Sequence, residues 1–252
     1  MTSENWLNRV DHPDGITELK LGRAPVNALS PEFLMDFAEQ MRSLGRDDQV
    51  KAIVLSSQFK VFSAGLDLKE AQDFDLAQQH AIVEGLNVGF LEQFACPKPV
   101  VSAVGGAAIA GGLFFVLASD LRVAGPKASL GLAEVRVGAN FPVGPLEIAR
   151  ATLSYDMQRR LMLTGQPIDA ATAAEAGVVD VLVASTEQVL PTALAEARKL
   201  AQLPPQTFAS IKAQLRDEVI AKISEAMAAG GNAPEGGWFG AETRAAMQKM
   251  IG

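Results

Sequence analysis

Residues 99–120 read PVVSAVGGAAIAGGLFFVLASD, and between Pro99 and Asp120 there is not one charge. An uncharged run of this length is enough for a membrane-crossing helix, which needs about 20 apolar residues. Its interior argues against that reading. The pairs Gly105-Gly106 and Gly111-Gly112 are poor helix formers and good makers of tight turns. Val100–Val104 is a β-rich piece behind the breakers Pro97 and Pro99, and a new apolar segment starts at Gly111 and runs through Leu113, Phe114, Phe115, Val116 and Leu117. The pattern predicts a strand, a glycine turn and a buried helix, and no membrane span.

The flanking sequence repeats the alternation. Ile16–Leu21 alternates like an edge strand. Asn27–Arg46 predicts a helix with Ser30 as its N-cap, Pro31 at the first position and Gly45 near its end. Lys51–Ser56 predicts a buried strand, Ser57–Leu68 a loop, Asp75–Phe94 a helix capped by Asp75, and Leu121–Ala124 a short strand. Strands alternating with helices indicate an α/β fold. Beyond Pro145 the pattern is helical, over Tyr155–Thr164, Asp169–Ala176, Ser185–Gln202 and Pro205–Met227. A break at Ala228–Gly237 then precedes a last helix near Glu242–Met250.

Composition narrows the function. The chain has 252 residues, 48% hydrophobic and 20% charged, which suits one globular core. A net charge of −7 disfavours nucleic acid as a partner, since phosphate binding rewards a basic surface. One cysteine, Cys96, and two histidines, His12 and His80, leave little material for a disulfide framework, a metal centre or a Ser-His-Asp triad. Met1–Asn8 has neither the basic start and apolar core of a secretory leader nor an Arg-rich transit pattern, so a cytoplasmic protein is expected.

Three segments can carry chemistry. In Val61–Glu70, VFSAGLDLKE, small residues precede a short helix beginning near Asp67, and amides at a helix start are free to donate. In Gly105–Phe115 the Gly111 amide stands at a second helix start. The absence of GxGxxG, and of Lys-Ser or Lys-Thr after the glycines, weakens dinucleotide and phosphate-loop readings. In Leu130–Gly138, LGLAEVRVG, Glu134 is an acid in a largely apolar run. Beside an apolar pocket its pKa would rise, as suits a general base. Each has a plainer reading: an ordinary strand-to-helix turn, close packing of a buried helix, and a solvated loop carboxylate.

Together, FSAGLDL, AGGLFFVLASDLRVA and GLAEVRVG, in this order and behind PVNALS at Pro25–Ser30, resemble the crotonase superfamily of enoyl-CoA hydratases and isomerases. The resemblance spans essentially the whole chain. It implies a crotonase-type spiral of ββα units over residues 1–195, a C-terminal helical region, residues 196–252, for trimer contacts and active-site cover, and a homotrimer or hexamer. It implies an acyl-CoA substrate, with coenzyme A part of that substrate and no separate cofactor or metal. The amides of Leu66 and Gly111 would form an oxyanion hole, and Ala64, Gly65, Asp67, Leu68, Phe114 and Ala133 would complete the substrate site. Lys60 and Lys69 are candidates for the CoA phosphates or simply solvated lysines, and Asp67 itself looks like a helix cap.

Within the superfamily the details are most similar to Δ3,Δ2-enoyl-CoA isomerases. Hydratases carry two glutamates. The first falls where this chain has Phe114, and the second matches Glu134. The isomerase pattern GLNE has Asn where this chain has Ala133, and the loop Ala139–Leu146 also departs from the family. The implied activity is conversion of 3-enoyl-CoA to trans-2-enoyl-CoA in fatty-acid oxidation. A crotonase-fold acyl-CoA hydrolase, an enoyl-CoA hydratase and a non-catalytic acyl-CoA-binding protein are the alternatives.

Overall fold

The computed structural model describes residues 6–251. Of the expectation for Met1–Asn8, the part through residue 5 lies outside them. The chain opens with β1 (Leu7–His12), β2 (Ile16–Leu21), β3 (Ala28–Leu29), α1 (Pro31–Arg46) and β4 (Ala52–Ser57). It continues through β5 (Gly65–Leu66), α2 (Leu68–Ala71), α3 (Leu76–Ala95), β6 (Val100–Val104), β7 (Ala108–Ile109) and α4 (Gly111–Leu117). Next come β8 (Leu121–Ala124), β9 (Ser129–Gly131), a 3-10 turn at Glu134–Val137, α5 (Val143–Thr152) and α6 (Tyr155–Gln158). The remainder is β10 (Ile168–Asp169), α7 (Ala170–Glu175), β11 (Val181–Leu182), α8 (Val189–Ala201), α9 (Pro205–Ala226) and α10 (Thr243–Ile251).

Six strands form the main sheet in the order β1-β2-β4-β6-β8-β11, parallel except for the β1–β2 pair. Both faces are covered, which is why its central strands β4 and β6 are buried and mostly apolar. On one face Ile16, Val54, Val101 and Val123 meet Val189, Ala193 and Ala197 of α8. The other face packs on α1, α3, α4 and α5. There Phe115 of α4 lies among Phe37, Phe90, Phe33 and Phe62, with ring centroids 4.8–6.4 Å apart. The short strands make a second layer: β3 pairs with β5, Ser63 bridges to Ala108, and β7, β9 and β10 follow. The decisive stretch thus becomes β6, β7 and α4, one step of a strand–strand–helix spiral, and the chain has the expected α/β crotonase-type fold with a helical C-terminal region.

Some boundaries differ from expectation for identifiable reasons. Ile16–Leu21 is not an edge strand, because β1 covers it. Its Thr17 and Glu18 are buried and paired instead: Thr17 Oγ1 donates to Asp11 at 2.8 Å, and Ser56 Oγ donates to Glu18 at 2.5 Å. The first helix starts at Pro31 rather than Asn27, although Ser30 caps it as expected by accepting from the Phe33 amide. Asn27 has φ +50° and donates to Ser57 Oγ and the Phe62 carbonyl, leaving Ala28–Leu29 to form β3. Residues 155–164 are an α-helical turn continued by a π-helical one over Arg159–Leu163. Residue 195 falls inside α8, whose buried residues pack against the main sheet. Among the described residues no helix is long and apolar enough to cross a membrane.

Candidate active site

The spiral brings two chain turns together. Gly65 has φ +78°, a conformation L side chains rarely adopt, and a Cβ there would stand 2.8 Å from the Ile109 carbonyl oxygen and 3.2 Å from the Gly111 nitrogen. Only hydrogen at that position lets the β5 turn sit against the start of α4. The same closeness recurs at Gly112, where a Cβ would fall 2.5 Å from the Ser63 oxygen. Leu66, which follows Gly65, and Gly111, which precedes Gly112, both border one cavity.

Ala110, just before α4, has φ +50° and ψ −129°. A non-glycine residue held there costs on the order of 1–3 kcal/mol, and such strain persists where the surroundings over-determine it. Its amide is fixed to the Gly131 carbonyl at 2.8 Å, and its carbonyl accepts from Leu113 at 2.9 Å. Ala110 therefore sets the direction in which the chain enters α4. Gly111 and Gly112 are the opening residues of that helix, so their amides have no intrahelical acceptor.

The cavity holds about 100 Å³. It is bordered by Ala64, Leu66 and Leu68 from the first segment, Gly111 and Phe114 from the second, and Ala133 and Glu134 from the third. Two of the expected residues are elsewhere. Gly65 lies beneath the wall as the packing contact just described. Asp67 caps α2, accepting from the amides of Lys69 at 3.0 Å and Glu70 at 3.3 Å, so its carboxylate is committed to the backbone. Lys60 and Lys69 are exposed and do not border the cavity.

Glu134 is the one ionisable side chain among the described wall residues. It opens the 3-10 turn Glu134–Val137 and is only 7% exposed. Its Oε2 is buried without a hydrogen-bond partner. Burial pushes its pKa up to about 7, against the opposing pull of its own amide and that of Ala133. Such a carboxyl changes charge near neutrality, the range in which a general base or acid is most effective. Phe114 is buried against Phe90 and Phe141, with centroids 5.5 and 6.3 Å away, and presents only carbon to this space.

The remaining walls were not singled out in the sequence. Leu29, Leu86 and Ile109 come from neighbouring elements, Pro142 and Pro145 from the divergent loop and α5, and Trp238, Met247 and Met250 from the C-terminal segment. A larger, more open depression of about 620 Å³ lies beside Glu18 and Ser56, but Leu66, Gly111 and Glu134 do not border it. Among the described residues no group of three or more His, Cys, Asp or Glu could hold a metal ion.

Comparison with known proteins bears on this geometry. Residues 11–232 match the family model described as enoyl-CoA hydratase/isomerase. The human mitochondrial enoyl-CoA hydratase domain-containing protein 2 is 34% identical over 238 residues, covering 93% of this chain and 80% of that protein. The probable enoyl-CoA hydratase EchA17 of Mycobacterium tuberculosis is 32% identical over 205 residues, or 81% of this chain and 77% of that one. The crystal structure of human mitochondrial Δ3,Δ2-enoyl-CoA isomerase superposes with a TM-score of 0.86 at 25% identity, over 98% of this chain and 96% of that chain.

Proposed function

The chain belongs to the enoyl-CoA hydratase/isomerase family, and from that premise we propose that it moves the double bond of a 3-enoyl-CoA to the trans-2 position. The observation that carries this reading is the chemistry of the wall: one carboxyl, Glu134, faces an otherwise apolar cavity in which Phe114 offers no second acid. The thioester oxygen accepts from the Leu66 and Gly111 amides, which stabilise the negative charge that develops as C2 loses a proton. Removing one such donor typically costs about 100- to 1,000-fold in rate. Glu134 takes the C2 proton, the C3–C4 double bond shifts to C2–C3, and the protonated carboxyl returns that proton to C4. Substrate and product are isomers, so nothing is oxidised, reduced or consumed.

Hydration is the second reading, because one relative named above is called a probable enoyl-CoA hydratase and the other an enoyl-CoA hydratase domain-containing protein. Water would then have to be held and activated by Glu134 alone, opposite a phenyl ring. Incubation with 3-hexenoyl-CoA separates the outcomes. Isomerisation produces the conjugated enoyl absorbance without free thiol, thioester hydrolysis releases thiol, and a non-catalytic binder leaves the substrate unchanged. Parallel incubation with 2-hexenoyl-CoA, followed by chromatography for 3-hydroxyhexanoyl-CoA, tests hydration. Efficient hydration without isomerisation of the 3-enoyl substrate would overturn the proposal.

A further inference from the structure

The segment beyond residue 232 lies outside the stretch matched by the family model, yet it supplies Trp238, Met247 and Met250 to the cavity wall. It is tied down at several points. Trp238 Nε1–H donates to the Asn140 carbonyl at 2.8 Å, and the Trp238 and Phe239 amides both donate to Gln79 Oε1 at 3.0 Å. Thr243 Oγ1 donates to the Gly138 carbonyl at 2.6 Å, which seats α10 beside the Glu134 turn. Met247 is 1% exposed. The facing wall, Phe114 and Leu86, belongs to the packed core and has nowhere to retreat.

We propose that this C-terminal segment ends the acyl-binding space and restricts the protein to short acyl thioesters, with Trp238 and Met247 setting the limit. Gln79 is a positioning residue that acts through Trp238. The proposal rests on the reading that the cavity receives an acyl-CoA. Its volume of about 100 Å³ is below the roughly 300–1,000 Å³ usual for ligand pockets. A longer chain must therefore displace part of the wall, and the segment held by side-chain hydrogen bonds is the part that can yield. In a closed apolar pocket each methylene alters discrimination by about 10- to 200-fold.

The test is calorimetric binding of butanoyl-, octanoyl- and dodecanoyl-CoA, run beside kcat/KM for 3-hexenoyl- and 3-dodecenoyl-CoA. Wild type should favour the short chains by at least about tenfold. Met247→Ala and Trp238→Ala should reduce that preference about tenfold or more by improving long-chain binding, and Met250→Ala, which trims an exposed side chain, should act in the same direction without endangering the fold. Gln79→Leu should change the chain-length ratio as Trp238→Ala does. Gln79→Glu keeps an acceptor for both amides but replaces the Nε2 donor to the Phe74 carbonyl, 3.2 Å away, by an oxygen; it should lower the melting temperature yet retain the wild-type ratio, whereas for a merely structural Gln79 the ratio would also stay unchanged in Gln79→Leu. Equal binding of butanoyl- and dodecanoyl-CoA by wild type, or variants that affect every length alike, would overturn the proposal. Short-chain binding without isomerisation upholds the limit and defeats the proposed reaction, whereas isomerisation indifferent to length does the reverse.

Discussion

Glu134 and Glu18 are both buried carboxylates, 7% and 1% exposed, but their surroundings are opposite. Glu18 lies within β2, where Ser56 Oγ donates to one oxygen at 2.5 Å, His12 Nε2 is 3.0 Å from the other, and Lys20 Nζ approaches to 3.5 Å. Glu134 borders a cavity and leaves Oε2 without a partner. Burying an acid is costly unless it is paired and hydrogen-bonded. The partnered acid ties three pieces of chain together, whereas the unpartnered one keeps a lone pair available for a ligand at a cost borne by the rest of the fold. Burial alone therefore does not mark a catalytic acid; burial with an unused oxygen beside open space is what the proposed reaction requires of Glu134.

The sharpest way to break the comparison is to neutralise each acid in turn and measure turnover of 3-hexenoyl-CoA. Glu134→Gln keeps the volume but cannot accept a proton at neutral pH. It should lower kcat by about 100- to 10,000-fold, the range of general acid–base catalysis, with acyl-CoA affinity changed only a few-fold. Glu18→Gln should leave kcat of the folded protein near wild type. Near-normal turnover by Glu134→Gln would remove Glu134 from the mechanism.

The second expectation concerns pH. Burial raises the Glu134 pKa from 4.5 to about 7, so the folded protein holds a proton that the unfolded chain has already released between those values. Stability from this group is thus complete below 4.5 and is lost as pH rises toward 7. The span corresponds to about 3 kcal/mol by linkage. Glu134→Gln should be more stable than wild type by up to that amount above pH 7, and the advantage should disappear near pH 4. Urea unfolding across pH measures it. With Glu134 as base, wild-type kcat/KM should rise with pH and level off above about 7. A stability difference that is constant with pH would mean that Glu134 titrates as an ordinary surface acid.

The contrast also explains what could be read in advance. Leu66 and Gly111 were pointed to by the resemblance of FSAGLDL and AGGLFF to the family, and Glu134 also by standing as an acid in a largely apolar run; the fold brings all three to one cavity. The strand–turn–helix of residues 100–117 was legible because glycine pairs forbid a continuous helix. Ala110 was not, since nothing about alanine announces φ +50°. The C-terminal region was expected to cover the site, but Trp238 and Met247 could not be picked out. Trp238 is held by Asn140, 98 positions away, and by Gln79, 159 positions away, while α10 packs on the Glu134 turn, and the turns at Gly230, Gly236 and Gly237, all at positive φ, conceal where the chain goes. β1 was overlooked for a related reason. LNRVDH has no run of apolar residues, because an edge strand outside the core needs only Leu7 buried.

The smallest expected effect sharpens the other half of the comparison. In Glu18→Gln the side chain keeps its shape, but an NH2 replaces one acceptor oxygen. Whichever way the amide turns, the Ser56 hydroxyl or the His12 ring must either accept from an NH2 where it faced a carboxylate oxygen or lose its partner. Leaving one buried polar group unsatisfied costs about 1–3 kcal/mol. The loss should appear in urea unfolding at pH 7, where Glu134→Gln is expected to gain. The partners of Glu18 are confined to β1, β2 and β4, and Glu18 does not border the cavity of Glu134, so the double variant should show the sum of the two single changes. A stabilising Glu18→Gln would mean that its hydrogen bonds do not offset the burial of its charge, and the division between a partnered structural acid and an unpartnered catalytic one would fail on its structural side.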